Sequence, residues 1–498
     1  MIKKIKLQGA EHFFGGAAND GIFMPYKSGF KRDLRVYHGQ NQAAAALLSD
    51  RGAYIYSDKP FEFSFSDDEI SVDGEDIVCG RAGDTLKSAY LAVRAALAPD
   101  VSGHPDASMF VSPQYNTWIE MGFDCAQDKI IRYAEDILSH GFPAGVFMID
   151  DCWCRSYGDW EFDAARFPDP EKMVKELHAM GFKVMLWCVP FVSPDTKNFR
   201  YLDVKKAFVE NGNGEPIITH WWNGYSAALD LNKPVAVDWF VAQTKSLIDK
   251  YGIDGFKLDA GDPEYYPTDG NYRQTNNWAA LGGEYKFNEM RVGFNSGKYP
   301  TANRLRDKNH SWTDDGLNTL VPDGTAMGLC GYPFVCPDMI GGGLLTSFDG
   351  DGFVFDTELF VRYCQIAAYF PMMQFSRMPW RVLSESETAI CRDAVDRHVK
   401  LADYIMSEVE KSSETGEPIL RCLEYEYPHN GYAQITNEFL LGSDILVAPQ
   451  LKKGEKSRKV VIPGGEWADE RGKVYAQGEY SVPTPIDVIP VFYKKTEK

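Results

Sequence analysis

The period of the apolar positions changes twice along this 498-residue chain. Phe61, Phe63 and Phe65 alternate with polar neighbours, the period of a half-buried strand, and Val72-Asp73-Gly74-Glu75 offers hairpin-turn chemistry. Residues 1–105 are therefore read as an N-terminal β-rich domain. The pattern then becomes helical. Ile130, Ala134, Ile137 and Leu138 form a stripe that ends at Gly141, and the run 144–149 follows as a buried strand. Asp169-Pro170 starts a helix whose inner face is Met173, Val174 and Leu177. It stops at Gly181, before the strand 184–187. A further helix, through Trp239, Leu247 and Ile248, ends at Gly252 and leads into the strand 253–258. From about residue 420 strands return, at 439–447, 460–462 and 488–493.

Helices alternating with short apolar strands imply a parallel sheet wrapped by helices, and the length of the region favours closure. The expected fold is α/β: a (β/α)8 barrel over 106–385, with a short N-terminal β-rich domain and a C-terminal β-sandwich. Residues 386–498 hold the end of the barrel and the sandwich. The stretch 263–311 has little apolar periodicity and is read as an insertion over the barrel mouth.

Composition narrows the partners. A net charge of -19 argues against nucleic acid and anionic membrane, both of which need basic patches. No secretory leader and no apolar run of membrane-spanning length is visible, and the ten cysteines are scattered, so a reduced, cytoplasmic protein is expected. Cys152-Trp-Cys154 lacks a second ligand pair, so no metal is implied.

In such a barrel, polar residues at the C-terminal ends of the strands carry the chemistry. Strand 144–149 runs into Asp150-Asp151-Cys152-Trp153, and strand 253–258 delivers Lys257-Leu-Asp259-Ala-Gly-Asp262. Glycoside cleavage needs one ionised carboxylate and one carboxyl that keeps its proton. Asp259, two residues after Lys257, suits the ionised role. Asp262, Asp314, Asp315 and Asp338 are candidates for the acid, and spacing alone does not choose among them.

Gly255-Phe-Lys-Leu-Asp259-Ala-Gly-Asp262 resembles the nucleophile motif of glycoside hydrolase family 31. The resemblance continues in the family's order with Phe167-Pro-Asp-Pro170, Gly181 to Trp187, Trp312-Thr-Asp-Asp315, Gly331 to Gly342, Glu358 to Arg362 and Gly442 to Pro449. It implies a retaining exo-α-glycosidase with Asp259 as nucleophile and Asp315 as acid/base; where the family's motif ends in Gly-Asp, this chain has Asp314-Asp315. It also implies sugar contacts from Asp150, Trp187, Lys257 and Asp338, and from an arginine placed at Arg304, with Arg291 and Arg306 as alternatives.

The family's sugar-binding histidine is missing from Pro371-Met-Met-Gln374-Phe375-Ser376. That segment, with Pro379-Trp380 and Asp150-Asp151-Cys152-Trp153, resembles an α-galactosidase-like branch. A second carboxylate beside Asp150 could accept bonds from an axial 4-hydroxyl and the 6-hydroxyl. The expected substrate-binding set is Asp150, Asp151, Trp153, Trp187, Lys257, Arg304, Trp312, Asp338 and Ser376. The expected partner is an α-galactoside or related oligosaccharide, with α-glucoside or α-xyloside as the alternative. No cofactor is implied, and homo-oligomerisation stays open. A non-catalytic sugar-binding barrel is the competing reading, opposed by the presence of both expected carboxylates.

Overall fold

The computed structural model describes residues 2–9, 11–36, 39–99, 103–267, 270–313, 315–348 and 353–495. Eight parallel strands form its centre: β1 (Gln114–Asn116), β2 (Val146–Ile149), β3 (Lys183–Cys188), β4 (Gly255–Leu258), β5 (Phe287–Met290), β6 (Asn303–Arg304), β7 (Val335–Cys336) and β8 (Gln374–Phe375). They pair in chain order from β1 to β7, and β8 pairs with β1. A parallel bridge from Met339, just after β7, to Gln374 closes the circle into the expected barrel.

Strands covered on both faces read as continuous apolar runs. Val146–Ile149 is buried throughout, and Lys183–Cys188 is exposed only at its first residue. Gly255 opens β4 because a Cβ there would collide with the carbonyl of Phe287 on β5.

The helices follow from capping and amphipathicity. Gln127–Ser139 buries Ile130, Tyr133, Ala134 and Ile137, whereas Leu138 of the expected stripe is exposed. Pro170–Ala179 starts where the Asp169 side chain accepts the Lys172 N–H at 3.0 Å. Pro234–Tyr251 ends at Gly252, whose φ of 76° is open to glycine.

Three expectations change. Residues 263–311 hold the helix Asn271–Gly283 and two of the barrel's own strands, β5 and β6, where an insertion was expected. These strands escape an apolar pattern because they carry Asn288, Glu289, Asn303 and Arg304, all buried polar residues. Asp73-Gly74 joins strands of two different sheets instead of turning a hairpin. The hairpin lies one strand earlier, between Glu62–Phe65 and Glu69–Asp73. Residues 439–447 are two short antiparallel strands, Phe439–Leu441 and Ile445–Val447, because Gly442 takes φ 62°.

The N-terminal region forms two sheets, and its strand Gln42–Ser49 pairs with Gly293–Phe294, fixing it against the barrel. The C-terminal strands form a six-stranded and a two-stranded sheet. Leu440, Leu446, Val460, Ile462, Trp467 and Phe492 share one core there. Among the described residues, no helix is long and apolar enough to cross a membrane.

Candidate active site

A cleft of about 340 Å³ opens at the C-terminal ends of the strands. Asp259 stands at its floor, one residue beyond β4. Ala260 takes φ 51°, a strained value for a residue with a side chain, and this turn presents its N–H to Asp259 Oδ1 at 2.9 Å. Trp187, near the end of β3, donates its indole N–H to Oδ2 at 2.8 Å. Arg291 Nε lies 3.3 Å from Oδ1. Burial alone would push this carboxyl up. The nearby cations Arg291, Lys257 and Arg304, with the indole bond, outweigh it and hold the carboxyl down at about 2. Asp259 is a buried, ionised, hydrogen-bonded carboxylate.

The ends of β2 and β4 meet in an ion pair. Lys257 Nζ donates to Asp150 Oδ2 at 2.6 Å, and Asn116 Nδ2 donates to the same oxygen at 2.7 Å. Burial opposes the charge on Lys257, but Asp150 and the other anions around it raise its pKa, so it remains a cation. Asp151 also lines the cleft. Its carboxylate accepts from Tyr157 Oη at 3.2 Å and from Asn223, at the tip of a β-hairpin that folds over the opening. Burial, then repulsion from Asp150, pushes Asp151 up to about 7. Trp222, beside Asn223, stacks on the Arg291 guanidinium at 4.6 Å.

Arg304 lies on the cleft wall and is buried among acids. It donates to Asp338, reaches Asp307 at 2.8 Å and Glu289 at 3.2 Å, and its charge is reinforced by Asp307 and Asp338. Glu289 in turn accepts from Gln374 at 2.6 Å, so this glutamine of the segment that lacks the family's histidine belongs to the barrel's internal hydrogen-bond network.

Asp150, Asp151, Trp187, Lys257, Asp259 and Arg304 therefore converge on one cleft. The remaining expected residues do not. Trp153 is fully buried behind it, donating to the Trp187 carbonyl at 2.8 Å and packing on Trp160 and Phe162. Ser376 is buried and accepts the Ile119 N–H at 2.7 Å, fastening a short helix after β1. Trp312 donates to Asp356 at 2.9 Å, away from the cleft lining. Asp338 is buried beneath Arg304, accepting the Lys308 N–H at 2.8 Å, and burial pushes its carboxyl up to about 7.

Asp315 is also absent from the cleft lining. One carboxylate oxygen is taken by Arg306 and the other by Lys308 Nζ at 2.9 Å. Asp314 lies outside the described residues. Of the other candidates for the acid, Asp262 is buried against Arg291 at 3.3 Å. Besides Asp150 and Asp151, a further carboxylate lines the cleft with Asp259: Asp307, after β6, about a quarter exposed. Asp307 lies outside the motif Trp312-Thr-Asp-Asp315 and carries no motif signal of its own. The available signal was an Arg304–Asp307 pair three residues apart at a strand end. Trp222, Asn223 and Gln40 were missed as well, since hairpin and loop tips carry no period. Among the described residues, no group of three or more His, Cys, Asp or Glu side chains could hold a metal ion.

The model of the glycosyl hydrolases family 31 TIM-barrel domain matches residues 113–408, and that of the family's C-terminal domain matches residues 416–497. The chain is 33% identical over 405 residues to the mouse myogenesis-regulating glycosidase, covering 78% of this chain and 57% of that protein. It is 28% identical over 337 residues to the SITS-binding protein of Tetronarce californica, covering 62% of this chain and 47% of that protein. The chain thus spans about half the length of these relatives. A solved structure of a family 31 sulfoquinovosidase from E. rectale, in complex with an aza-sugar inhibitor, superimposes with a TM-score of 0.87 at 20% identity. That match covers 100% of this chain and 83% of the other.

Proposed function

The chain belongs to glycosyl hydrolase family 31, and from that premise we propose that it is a retaining exo-α-glycosidase with Asp259 as nucleophile. The observation that carries this reading is the state of Asp259: ionised at about 2, oriented by Trp187 and the Ala260 N–H, and open to the cleft. An ionised carboxylate fixed at the floor of a sugar-sized cleft attacks the anomeric carbon as the glycosidic bond breaks, giving a glycosyl ester that water then hydrolyses.

The leaving oxygen must receive a proton from the second carboxyl. Asp307 takes that role in this proposal, in place of Asp315, because Asp307 lines the cleft and Asp315 does not; both are ion-paired, Asp307 with Arg304 and Asp315 with Arg306 and Lys308. Asp150, Asp151, Lys257 and Arg304 would hold the sugar's hydroxyls. The sugar proposed is α-galactose. Asp150 and Asp151 both line the cleft, so two adjacent carboxylates are placed to accept from an axial 4-hydroxyl and the 6-hydroxyl.

Asp259→Asn should abolish turnover of nitrophenyl α-galactoside while leaving the fold intact. Variant activity within about tenfold of wild type would remove Asp259 from the nucleophile's role. A second reading is a sugar-binding barrel without turnover, since a barrel frame does not by itself confer activity. Failure of the wild type to cleave any nitrophenyl α-galactoside, α-glucoside or α-xyloside would select it.

A further inference from the structure

The cleft is chemically two-sided. Asp150, Asp151, Lys257, Asp259, Arg291 and Arg304 make one part of its lining charged, and the Asn223 amide donates to Asp151 there. Another part of the lining is an apolar lip and comes from two segments that follow barrel strands. Trp118 and Phe123 follow β1, with ring centroids 5.6 Å apart at an interplanar angle of 79°. Leu344 and Leu345 follow β7. The segments adjoin: a Cβ at Gly122 would sit 3.9 Å from a Leu345 methyl. Phe123 is 59% exposed, although it is a large aromatic side chain at the mouth of a binding cleft.

The position of this lip relative to the proposed acid gives it a role. The Leu344 N–H donates to the carbonyl of Lys308 at 3.1 Å, which anchors the leucines beside Asp307. A general acid protonates the oxygen of the departing group, so that group must lie on the acid's side of the scissile bond. The sugar's hydroxyls are served by the charged part of the lining. A leaving group beside Asp307 would meet the adjoining part of the lining, two aromatic rings and two leucines, with Thr346 beside them.

Resting on the glycosidase reading, we infer that this lip is the leaving-group subsite and that it selects a glycoside whose aglycone is apolar, an alkyl or aryl group, over one whose aglycone is a second sugar. A second sugar turns hydroxyls in most directions and needs partners for them, of which this lip offers few beyond the Thr346 hydroxyl. An apolar aglycone gains by leaving water and covers Phe123, whose exposure otherwise leaves a hydrophobic surface in solvent.

The test compares methyl and hexyl α-glycosides, in both the galacto and the gluco series, because the two alcohols leave with nearly equal basicity. Hexyl should exceed methyl in kcat/KM by on the order of tenfold, and a disaccharide of the same glycone should fall below hexyl. Phe123→Ser and Leu345→Ser should each shrink the hexyl-to-methyl ratio several-fold. Calorimetric binding of the same two ligands to Asp259→Asn gives a measure independent of turnover and should show the same preference. Equal kcat/KM for methyl and hexyl, a preferred disaccharide, or a ratio untouched by either substitution overturns the subsite while leaving the glycosidase reading intact. Absence of turnover with tighter hexyl binding overturns the glycosidase reading and keeps the apolar lip.

Discussion

The indole N–H of Trp187 donates to Oδ2 of Asp259 at 2.8 Å, joining the ends of β3 and β4 across the floor of the cleft. A hydrogen bond to a charged group contributes roughly 1.5–3 kcal/mol. Trp187→Phe keeps a ring in place but removes the donor, so the carboxylate should lose part of its orientation and stabilisation. Steady-state kinetics should show kcat/KM falling about tenfold to a hundredfold, with the fold unchanged by circular dichroism. Wild-type kinetics in this variant would mean that the indole bond plays no part in the attack.

Asp307→Ala should slow substrates with basic leaving groups far more than activated aryl glycosides, whose departure needs little protonation. Added azide should restore part of the turnover of the activated substrate and give an α-glycosyl azide. Asp315→Ala should change kcat/KM less than Asp307→Ala and acquire no such leaving-group dependence, because its carboxylate is engaged by Arg306 and Lys308. If the two variants exchange these behaviours, the acid is Asp315.

Two displacements at one carbon restore its configuration, which requires carboxyls about 5–5.5 Å apart. Proton NMR taken in the first minutes should therefore show the α-anomer of the released sugar before mutarotation. Early β-anomer would point to direct attack by water and would exclude a covalent role for Asp259.

Asp151 tests both sugar preference and pH response. Wild type should prefer the galactoside over the glucoside by on the order of tenfold to a hundredfold, and Asp151→Ala should collapse that ratio mainly by slowing the galactoside. A wild-type preference for glucoside or xyloside defeats the galactosidase reading and leaves the nucleophile untouched.

The Asp151 carboxyl is raised from 3.8 to about 7 by burial and by Asp150. Its protonated form is thus favoured by folding. The associated stability is fully present below pH 3.8 and is lost as pH rises through about 7. Over that window the loss is at most about 1.4 kcal/mol per pH unit. Urea midpoints measured from pH 5 to 8 should fall for wild type relative to Asp151→Asn; parallel curves would place Asp151 at an ordinary carboxylate value in the folded protein.

The sequence by itself determined the barrel and marked Asp259 as its candidate nucleophile, because both signals are written locally. The runs that became β2, β3 and β4 are apolar since both of their faces are covered, and helix starts such as Asp169-Pro170 act within a single turn. Asp259 was legible as the polar residue that ends such a run. The tertiary structure alone decided which distant side chains share the cleft. β5 and β6 were hidden because their buried residues are polar and satisfied across the barrel by partners such as Gln374 and Asp338. Trp153 and Ser376 sit beside motif residues in sequence, yet they turn inward to hold Trp187 and the helix after β1. Asp307 and Asp315 are separated by eight positions of loop. Which of them faces Asp259 depends on where Arg304, Arg306 and Lys308 direct their charges, and adjacency along the chain does not encode that geometry.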